Sequence, residues 1–314
     1  MTSIQKCGVI GVGFVGATSA FTLATSGLFS EVVLVDMNRK KAEGEAADIN
    51  HGISFAKPCF VRAGDYGDLA ECGLVVIAAG ANQKPGETRI ELLGRNRVIM
   101  SSIIEHLMAV NQSAVLLIVS NPVDVLTYMA QKMSGLPAGR VIGSGTVLDT
   151  ARLKYLVGQH LNVDSRNVHA FIIGEHGDSE LAVWSSANIS GVDLADYCRI
   201  TGKDDSFGAM QRIYENVRDA AYSIIEGKGA TYYGIGMAVR RIAEAIVRDE
   251  HSVLPVSSMI SGHYGVDGIC LGLPAVVGRN GAESVLDIPL SQDELFQLQS
   301  SAQKMKELID ELGD

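Results

Sequence analysis

The sequence lacks any apolar run long enough to cross a membrane. Its longest apolar stretches, residues 74–81 and 114–119, fall far short of the ~20 residues that a membrane span needs. Cysteine is also scarce: the five cysteines are odd in number and show neither CxxC spacing nor histidines at metal-ligand intervals. We therefore expect no membrane partner, no bound metal ion, and free, buried thiols in a reducing compartment.

Basic residues are outnumbered as well. The chain has 26 lysines and arginines against 36 acidic residues, a formal net charge of −10. Such a charge repels polyanions, so nucleic-acid binding is not expected. Apolar residues make up 47% of the sequence and charged residues 20%, which is typical of a packed globular protein. A chain of 314 residues has room for two ordinary domains.

The first half alternates β-branched runs with amphipathic stretches, a pattern typical of βαβ units and a mostly parallel sheet. Strands are predicted at residues 7–10, 31–35, 59–63, 74–79, 114–119 and 140–142. Helices are predicted at residues 14–26, 39–51, 89–110 and 122–133. Asn121 and Pro122 should be the N-cap and first-turn residue of the last helix, and Gly135 its C-cap. The sequence thus predicts a Rossmann doubly wound parallel sheet over residues 1–143.

The pattern changes after residue 143. Helices are predicted at residues 147–161, 211–226, 231–247 and 292–312, the last with Ser291 as its N-cap. Strands are predicted at residues 168–173, 181–184, 252–259 and 268–277. Residues 144–314 therefore predict a mixed α+β domain. Because a strand begins at residue 7, cleavage of a signal peptide would destroy the first structural unit, and we expect a cytoplasmic protein.

A glycine-rich turn follows the first predicted strand. It fits GxGxxG, and Asp36 stands twenty residues beyond its last glycine, at the end of the next strand. In this motif the glycines permit a tight turn, a close approach to a pyrophosphate and close helix packing, while the helix N-terminus supplies partial positive charge. Asp36 would bind ribose hydroxyls and repel a 2′-phosphate, which favours NAD over NADP; a flavin or another nucleotide is the alternative. The turn residues expected at the cofactor are Gly11, Gly13, Phe14, Val15 and Gly16.

The strand at residues 74–79 should lie beside the first strand, where the winding of the sheet reverses. Ligands bind outside the carboxyl ends of the strands at this point. Gly80 and Ala81 follow directly and are predicted to contact the cofactor. The polar segment after them, NQKPGETR, resembles an active-site lid.

Five segments together resemble the L-lactate and malate dehydrogenase family: GVGFVGA, AGANQKPGETR, SNPVDVLTY, GSGTVLDTARLK and IGEHGDSE. They extend over essentially the whole chain. The resemblance implies reversible hydride transfer between NAD(H) and an L-2-hydroxy acid, with residues 144–314 as the catalytic and substrate-binding domain. It implies no metal ion, because the nicotinamide carries the hydride while protein groups manage the proton.

The resemblance implies roles for four residues. His176 would be the general acid and base, since a pKa near 6.5 suits both directions. Asp149 would orient its ring and favour the cation. Arg89 would close over the substrate and polarise its carbonyl group. Arg152, on the same helix face as Asp149, would bind the substrate carboxylate through two parallel N–H groups. The alternatives are a structural histidine, a mobile surface arginine and a solvated ion pair.

Three further positions match the family's substrate pocket. Asn121 would lie near the nicotinamide and the reacting oxygen, and Thr231 would line the pocket near the substrate side chain. Family members that act on malate usually have arginine at the position of Gln83, and they commonly read PGMTR or PGMSR where this chain reads PGETR. Because burying malate's second carboxylate without a cation is costly, both differences favour lactate and pyruvate.

Other functions stay open at this point. Malate dehydrogenase or another L-2-hydroxy acid dehydrogenase is the alternative within the family, and Lys84 is a cation that could approach a dicarboxylate. A non-enzymatic NAD-binding protein is the alternative from another class, because a fold alone does not fix function.

Bacterial lactate dehydrogenases are often homotetramers that fructose 1,6-bisphosphate activates, bound between subunits by an arginine and a histidine. His169 matches that histidine. Lys154 stands at the usual place of the arginine, and it keeps the charge but lacks the bidentate fork. The resemblance therefore leaves two readings, an effector site or an ordinary surface lysine and strand histidine.

Overall fold

The computed structural model describes residues 3–81, 89–203 and 207–311. In its first half the strands are β1 (Ser3–Ile10), β2 (Glu31–Val35), β3 (Phe60–Ala63), β4 (Cys72–Ile77), β5 (Val115–Ile118) and β6 (Val141–Gly143). The helices are α1 (Phe14–Ser26), α2 (Arg39–Ile53), α3 (Arg89–Val110) and α4 (Val123–Ser134). The predicted alternation of strands and helices is confirmed.

The second half mixes helices with shorter strands. The helices are α5 (Val147–Leu161), α6 (Leu194–Thr201), α7 (Phe207–Arg218), α8 (Ala220–Lys228), α9 (Tyr233–Arg248) and α10 (Gln292–Asp310). The strands are β7 (Val168–Ile173), β8 (Leu181–Ile189), β9 (Val192–Asp193), β10 (Ser252–Leu254), β11 (Ser257–His263), β12 (Val266–Gly272), β13 (Ala275–Gly278) and β14 (Gly281–Val285). The predicted α+β character is confirmed, although α6, β9 and β14 were not predicted.

The largest sheet has the order β12-β11-β6-β5-β4-β1-β2-β3. Strands β1 to β6 run parallel, and the winding reverses between β1 and β4, as a doubly wound Rossmann sheet requires. Val9 of β1 lies opposite Leu34 on one side and Val76 on the other. Strands β11 and β12 from the second half extend this sheet with antiparallel pairing. The large sheet therefore contains strands from both halves of the chain.

The central strands are buried on both faces, which explains their continuous apolar sequences. Every residue of β4 and of β5 is buried. Side chains alternate between two cores: Ile77 packs in the core with α3, α4 and α10, and Val76 in the core with α1 and α9. A third core in the second half joins Leu153 of α5, Ile172 of β7 and Val217 of α7.

Two predicted strands are each divided by a proline. The expected strand at residues 252–259 is β10 followed by β11, with Pro255 between them. The expected strand at residues 268–277 is β12 followed by β13, with Pro274 between them. Proline has no backbone N–H to donate to a β-ladder, so neither strand continues through it.

The helix predicted at residues 211–226 is two helices, α7 and α8. Helix α7 buries Met210, Ile213 and Val217 at helical spacing. This pattern of burial ends at Val217, and none of residues 220–228, all within the described part of the chain, is buried. The apolar residues of α7 therefore pack against the core, whereas those of α8 are not buried.

Three predicted helix-capping residues can be compared with the structure. Asn121 does not cap α4: Pro122 occupies the N-cap position with an extended backbone, and the helix begins at Val123. The prediction was one residue early because Pro122 itself is not helical. Gly135 ends α4 in the left-handed conformation, with a φ of 64°, as predicted. Ser291 caps α10 as predicted, and Glu294 completes a capping box.

Two parts of the cysteine prediction are confirmed, since none of the five cysteines forms a disulfide bond and all five are buried. Within the described ranges, no helix combines the length and apolarity needed to span a membrane.

Candidate active site

The glycine turn between β1 and α1 has one open position. Gly11 has a φ of 88°, and a Cβ there would lie 2.5 Å from the backbone of Ala79, two residues after the end of β4. A Cβ on Gly16 would overlap the carbonyl oxygen of Gly11. Gly13 has ordinary extended backbone, and no described atom lies within 4 Å of the position of its Cβ. The turn is packed by the protein at Gly11 and Gly16 but open at Gly13.

Asp36 is held beside this turn by two backbone hydrogen bonds. Its carboxylate accepts the N–H of Val12 at 2.8 Å and the N–H of Asn38 at 2.8 Å. A carboxylate has about four lone-pair sites, so the half-buried Asp36 can also accept hydroxyl donors. Together with the open glycine and the N-terminus of α1, this donor and acceptor set fits a dinucleotide with a free 2′-hydroxyl.

The other two turn residues differ in exposure. Val15 is half-buried, whereas Phe14 is 70% exposed. The ring of Phe14 stacks on Tyr232, with 5.4 Å between the ring centroids. Contacts of Phe14 and Val15 with a cofactor stay a prediction.

The side chain of Asn96 connects the loops after β4 and β5 through hydrogen bonds. This residue was not predicted from the sequence. Asn96 lies on α3 and is 3% exposed. Its Oδ1 accepts the N–H of Ala81 at 2.7 Å, and its Nδ2 donates to the carbonyl oxygen of Asn121 at 3.0 Å. Ser120 adds a hydrogen bond to the carbonyl oxygen of Ala79 at 2.6 Å. These contacts hold Gly80 and Ala81 beside the loop of Asn121, at the edge where a ligand is expected.

His176, Asp149 and Arg152 form a hydrogen-bonded chain. Nδ1 of His176 lies 2.6 Å from Oδ2 of Asp149, and Nη1 of Arg152 donates to Oδ1 of the same carboxylate at 2.7 Å. The side chain of Asp149 is 3% exposed, that of Arg152 15% and that of His176 28%. The alternative of a solvated ion pair on a helix surface is wrong, because the carboxylate is buried.

Asp124 is a second carboxylate at this site, and the sequence analysis missed it. It lies in the first turn of α4, is 2% exposed, and accepts the backbone N–H of His176 at 2.8 Å. Burial raises the pKa of Asp124 to about 6, although the hydrogen bond from His176 acts in the opposite direction. Because Asp124 follows Asn121 by three residues, it links the loop after β5 to the backbone of His176.

The charges around His176 favour its protonated form. Burial alone would lower the pKa of His176, but the charge and hydrogen bond of Asp149, with help from Asp124 and Glu180, raise this pKa to about 9. Burial would raise the pKa of Asp149, yet His176 and Arg152 outweigh it and keep that pKa below the ordinary value. An imidazolium with a partly exposed ring can donate a proton to a bound ligand and take it back.

One ligand atom from each of Asp149, His176 and Glu180 lies within 4.8 Å of the others, a spacing that could hold a metal ion. Asp149 already binds both His176 and Arg152 through its two oxygens. The arrangement therefore fits proton transfer without requiring an ion.

The remaining predicted site residues have different outcomes. Arg89 begins α3, but its side chain is outside the described part of the chain, and Gln83 lies wholly outside the described residues. Thr231 is half-buried in the loop before α9, not inside that helix. Lys154 is half-buried on α5, where burial lowers its pKa, and His169 is exposed on β7.

Comparison with known families gives two matches. The family described as lactate/malate dehydrogenase, NAD binding domain, matches residues 5–143. The family described as lactate/malate dehydrogenase, alpha/beta C-terminal domain, matches residues 146–313.

Similar proteins include an L-lactate dehydrogenase of Thermoanaerobacter pseudethanolicus, 54% identical over 98% of this chain and 99% of the relative. L-lactate dehydrogenase 1 of Clostridium acetobutylicum is 50% identical over 99% of this chain and 100% of the relative. Among solved structures, a lactate dehydrogenase from a Medee basin deep-sea metagenome library has a TM-score of 0.96 at 46% identity, covering 100% of both chains. The minor L-lactate dehydrogenase of Enterococcus mundtii has a TM-score of 0.95 at 39% identity, covering 98% of both chains.

Substitutions at Gly13 and Gly16 of the glycine turn should separate the effect on cofactor binding from the effect on stability. Gly13→Ala should lose about 1 kcal/mol of stability or less, because its Cβ meets no described atom and only the N-cap preference for glycine over alanine is lost. It should bind NADH about tenfold more weakly, ~1.4 kcal/mol, because the methyl group stands where the pyrophosphate approaches. Gly16→Ala should lower the melting temperature, since overpacking costs roughly 1–3 kcal/mol. NADH fluorescence titration and thermal denaturation measure both effects.

Gly44→Ala is the matched control, because Gly44 is exposed on α2 with no described atom within 4 Å of its Cβ position. It should leave NADH affinity unchanged and should not lower the melting temperature, since alanine is favoured over glycine inside a helix. Unchanged NADH affinity in Gly13→Ala would show that the cofactor does not approach this turn.

Proposed function

The chain belongs to the lactate/malate dehydrogenase family, and from this membership we propose that it is an NAD-dependent L-lactate dehydrogenase that interconverts lactate and pyruvate. The observation that carries the proposal is the 2.6 Å hydrogen bond between a partly exposed imidazole, His176, and the buried carboxylate of Asp149, with Arg152 on the same carboxylate. The named relatives over nearly the full chain support lactate as the substrate.

His176 is the acid and base of the proposed reaction. Its pKa of about 9 keeps the ring protonated at neutral pH, so it is ready to donate a proton to the carbonyl oxygen of pyruvate. In the reverse direction the neutral ring accepts the hydroxyl proton of lactate. Asp149 holds the ring orientation and stabilises the cation in both directions. Bound NAD(H) would supply or accept the hydride.

Arg152 is the proposed anchor of the substrate carboxylate. A guanidinium has five N–H donors, and the contact with Asp149 uses one nitrogen, so donors remain for a second carboxylate. A bidentate contact would fix the orientation of a small monoanion. We assign Arg89 to the carbonyl oxygen, Asn121 to the nicotinamide side, and Thr231 to the substrate side chain.

The cofactor would be held by the glycine turn, by Gly80 and Ala81, and by Asp36. The contacts of Asp36 with the N–H groups of Val12 and Asn38 fix its carboxylate where ribose hydroxyls can reach it, and its charge disfavours a 2′-phosphate. We also propose a division into an NAD-binding domain over residues 1–143 and a catalytic domain over residues 144–314, supported by two family matches that meet there.

The wild-type chain should oxidise NADH much faster with pyruvate than with oxaloacetate, followed by NADH absorbance. Asp149→Asn should lower kcat/KM for pyruvate at neutral pH by about 10²-fold or more, because loss of the carboxylate charge lowers the pKa of His176 and frees its ring. Asp196→Asn, which changes an exposed aspartate on α6, is the control and should retain wild-type activity. Faster turnover of oxaloacetate than of pyruvate by the wild type would contradict the proposal.

Gln83 is the proposed determinant of the choice between lactate and malate. Gln83→Arg should move the preference from pyruvate toward oxaloacetate, because the new cation compensates the second carboxylate in a desolvated pocket. The measurement is the ratio of the two kcat/KM values, and Gln112→Arg, an exposed glutamine after α3, adds the same charge elsewhere. An unchanged ratio in Gln83→Arg would refute this role.

We further propose a cytoplasmic homotetramer that reoxidises NADH in fermentation, downstream of glycolysis. Free, buried thiols suit a reducing compartment. Large exposed apolar side chains on α1 and α9, Phe21 and Met237, suit contacts between subunits.

We also propose an allosteric site for fructose 1,6-bisphosphate at Lys154 and His169. The bisphosphate should lower the KM for pyruvate about fivefold or more in the wild type and in Lys203→Gln, an exposed control, but not in Lys154→Gln. Saturation curves and sedimentation with and without the bisphosphate measure activation and assembly. Wild-type curves that coincide would remove the effector site.

A further inference from the structure

Glu180 is a buried carboxyl group beside the acid–base pair. It lies four residues after His176, directly before β8, and is 5% exposed. One oxygen of Glu180, one oxygen of Asp149 and one ring nitrogen of His176 all lie within 4.8 Å of one another. Its Oε1 is buried and has no hydrogen-bond partner among the residues that the structure describes. An unpartnered buried oxygen at this distance needs an explanation, because an ionised carboxylate there would be costly.

The groups facing Glu180 come from three elements and the loop of His176. Helix α5 contributes Asp149 and Arg152, and helix α7 contributes Arg218 and Tyr214, whose hydroxyl group donates to the backbone carbonyl oxygen of Glu180 at 2.5 Å. Helix α4 contributes Asp124, which reaches this cluster by accepting the backbone N–H of His176.

Burial and the charge of Asp149 raise the pKa of Glu180 to about 8, against the opposing charges of His176 and the two arginines. Glu180 is therefore a neutral acid at neutral pH, beside one imidazolium and one carboxylate.

We propose that Glu180 is a positioning residue, a third ionisable group of the acid–base cluster, which sets the pH above which His176 stops donating its proton to pyruvate. This inference rests on the proposed function. Glu180 acts through His176 and need not touch the substrate.

The direction of the effect follows from charge. When the pH rises through about 8, Glu180 loses its proton and adds a second negative charge next to the imidazolium. This charge stabilises the cation, so His176 keeps its proton until the pH reaches about 9. Without an ionisable group at position 180, His176 should lose its proton at lower pH. At acidic pH the carboxyl group is neutral, so its removal should matter little.

Glu180→Gln tests the proposal, because glutamine keeps the shape of glutamic acid but cannot ionise. We expect kcat/KM for pyruvate, measured against pH at saturating NADH, to match the wild type within about twofold on its acidic plateau. The alkaline decline should begin at lower pH, so that kcat/KM above that point falls about three- to tenfold below the wild type, the ratio expected for a shift of up to one pH unit. A merely structural role would lower the whole profile without moving its midpoint.

Glu215→Gln is the matched control, since it removes a partly exposed carboxylate from the neighbouring helix α7. Its profile should coincide with that of the wild type.

A second measurement needs neither turnover nor a variant. The infrared absorption of a protonated carboxylic acid in the wild type should contain a component that disappears as the pH rises through about 8, separate from Asp124, which titrates near 6. If Glu180→Gln does not fold, the absence of this component overturns the inference.

The outcomes distinguish the two proposals. If the wild type reduces no pyruvate at any pH, the proposed function is wrong and this inference falls with it. If the wild type is active but the Glu180→Gln profile coincides with it, or no carboxyl group titrates near pH 8, this inference alone is overturned.

Discussion

The contact between the imidazole of His176 and the buried carboxylate of Asp149 constrains much of the second half of the chain. A carboxylate that is 3% exposed is stable only with charged or hydrogen-bonded partners, and both oxygens of Asp149 have one. Helix α5 must therefore keep a fixed position relative to His176. Thr150, the next residue, connects this helix to β7, because its hydroxyl oxygen accepts the N–H of Ile172 at 2.9 Å. Because β7 ends three residues before His176, one helix and one strand place both partners.

The backbone around His176 is also bound to the large sheet. Gly174 and Gly272 exchange two backbone hydrogen bonds, 2.9 and 3.0 Å long, and Gly272 ends β12 in that sheet. From the other side, Asp124 at the start of α4 accepts the backbone N–H of His176. The loop just before α4 is in turn bound to Ala81 through Asn96. A chain of hydrogen bonds thus runs from the proposed cofactor edge to the proposed acid–base pair.

The sequence predicts local structure well where one physical pattern dominates. Alternating βαβ periodicity identifies the doubly wound sheet, and GxGxxG with Asp36 identifies the dinucleotide turn. Pro255 and Pro274 each indicate the end of a strand. The prediction followed the continuous apolar residues around them and therefore placed one strand where the structure has two. Asn96, Asp124 and Glu180 were missed for another reason. Each is a single polar residue whose partner is distant in sequence, and periodicity does not reveal which distant atoms meet. The pairing of Asp149 with His176, 27 residues away, was likewise implied only by the family resemblance.

Three buried carboxyl groups surround one imidazole, and they differ in the partners that stabilise their charged forms. Asp149 has two cationic partners, so its pKa stays below the ordinary value. For Asp124, burial outweighs hydrogen bonds from Ser257 and from the backbone N–H of His176, and its pKa is about 6. Glu180 has an unpaired oxygen and an anionic neighbour, and its pKa is about 8. The carboxyl group that accepts the most hydrogen bonds therefore has the lowest pKa, and the three cations near Glu180 do not offset its burial. Since each new carboxylate stabilises the same cation, this order lets the imidazolium persist to about pH 9 without burying three negative charges at neutral pH.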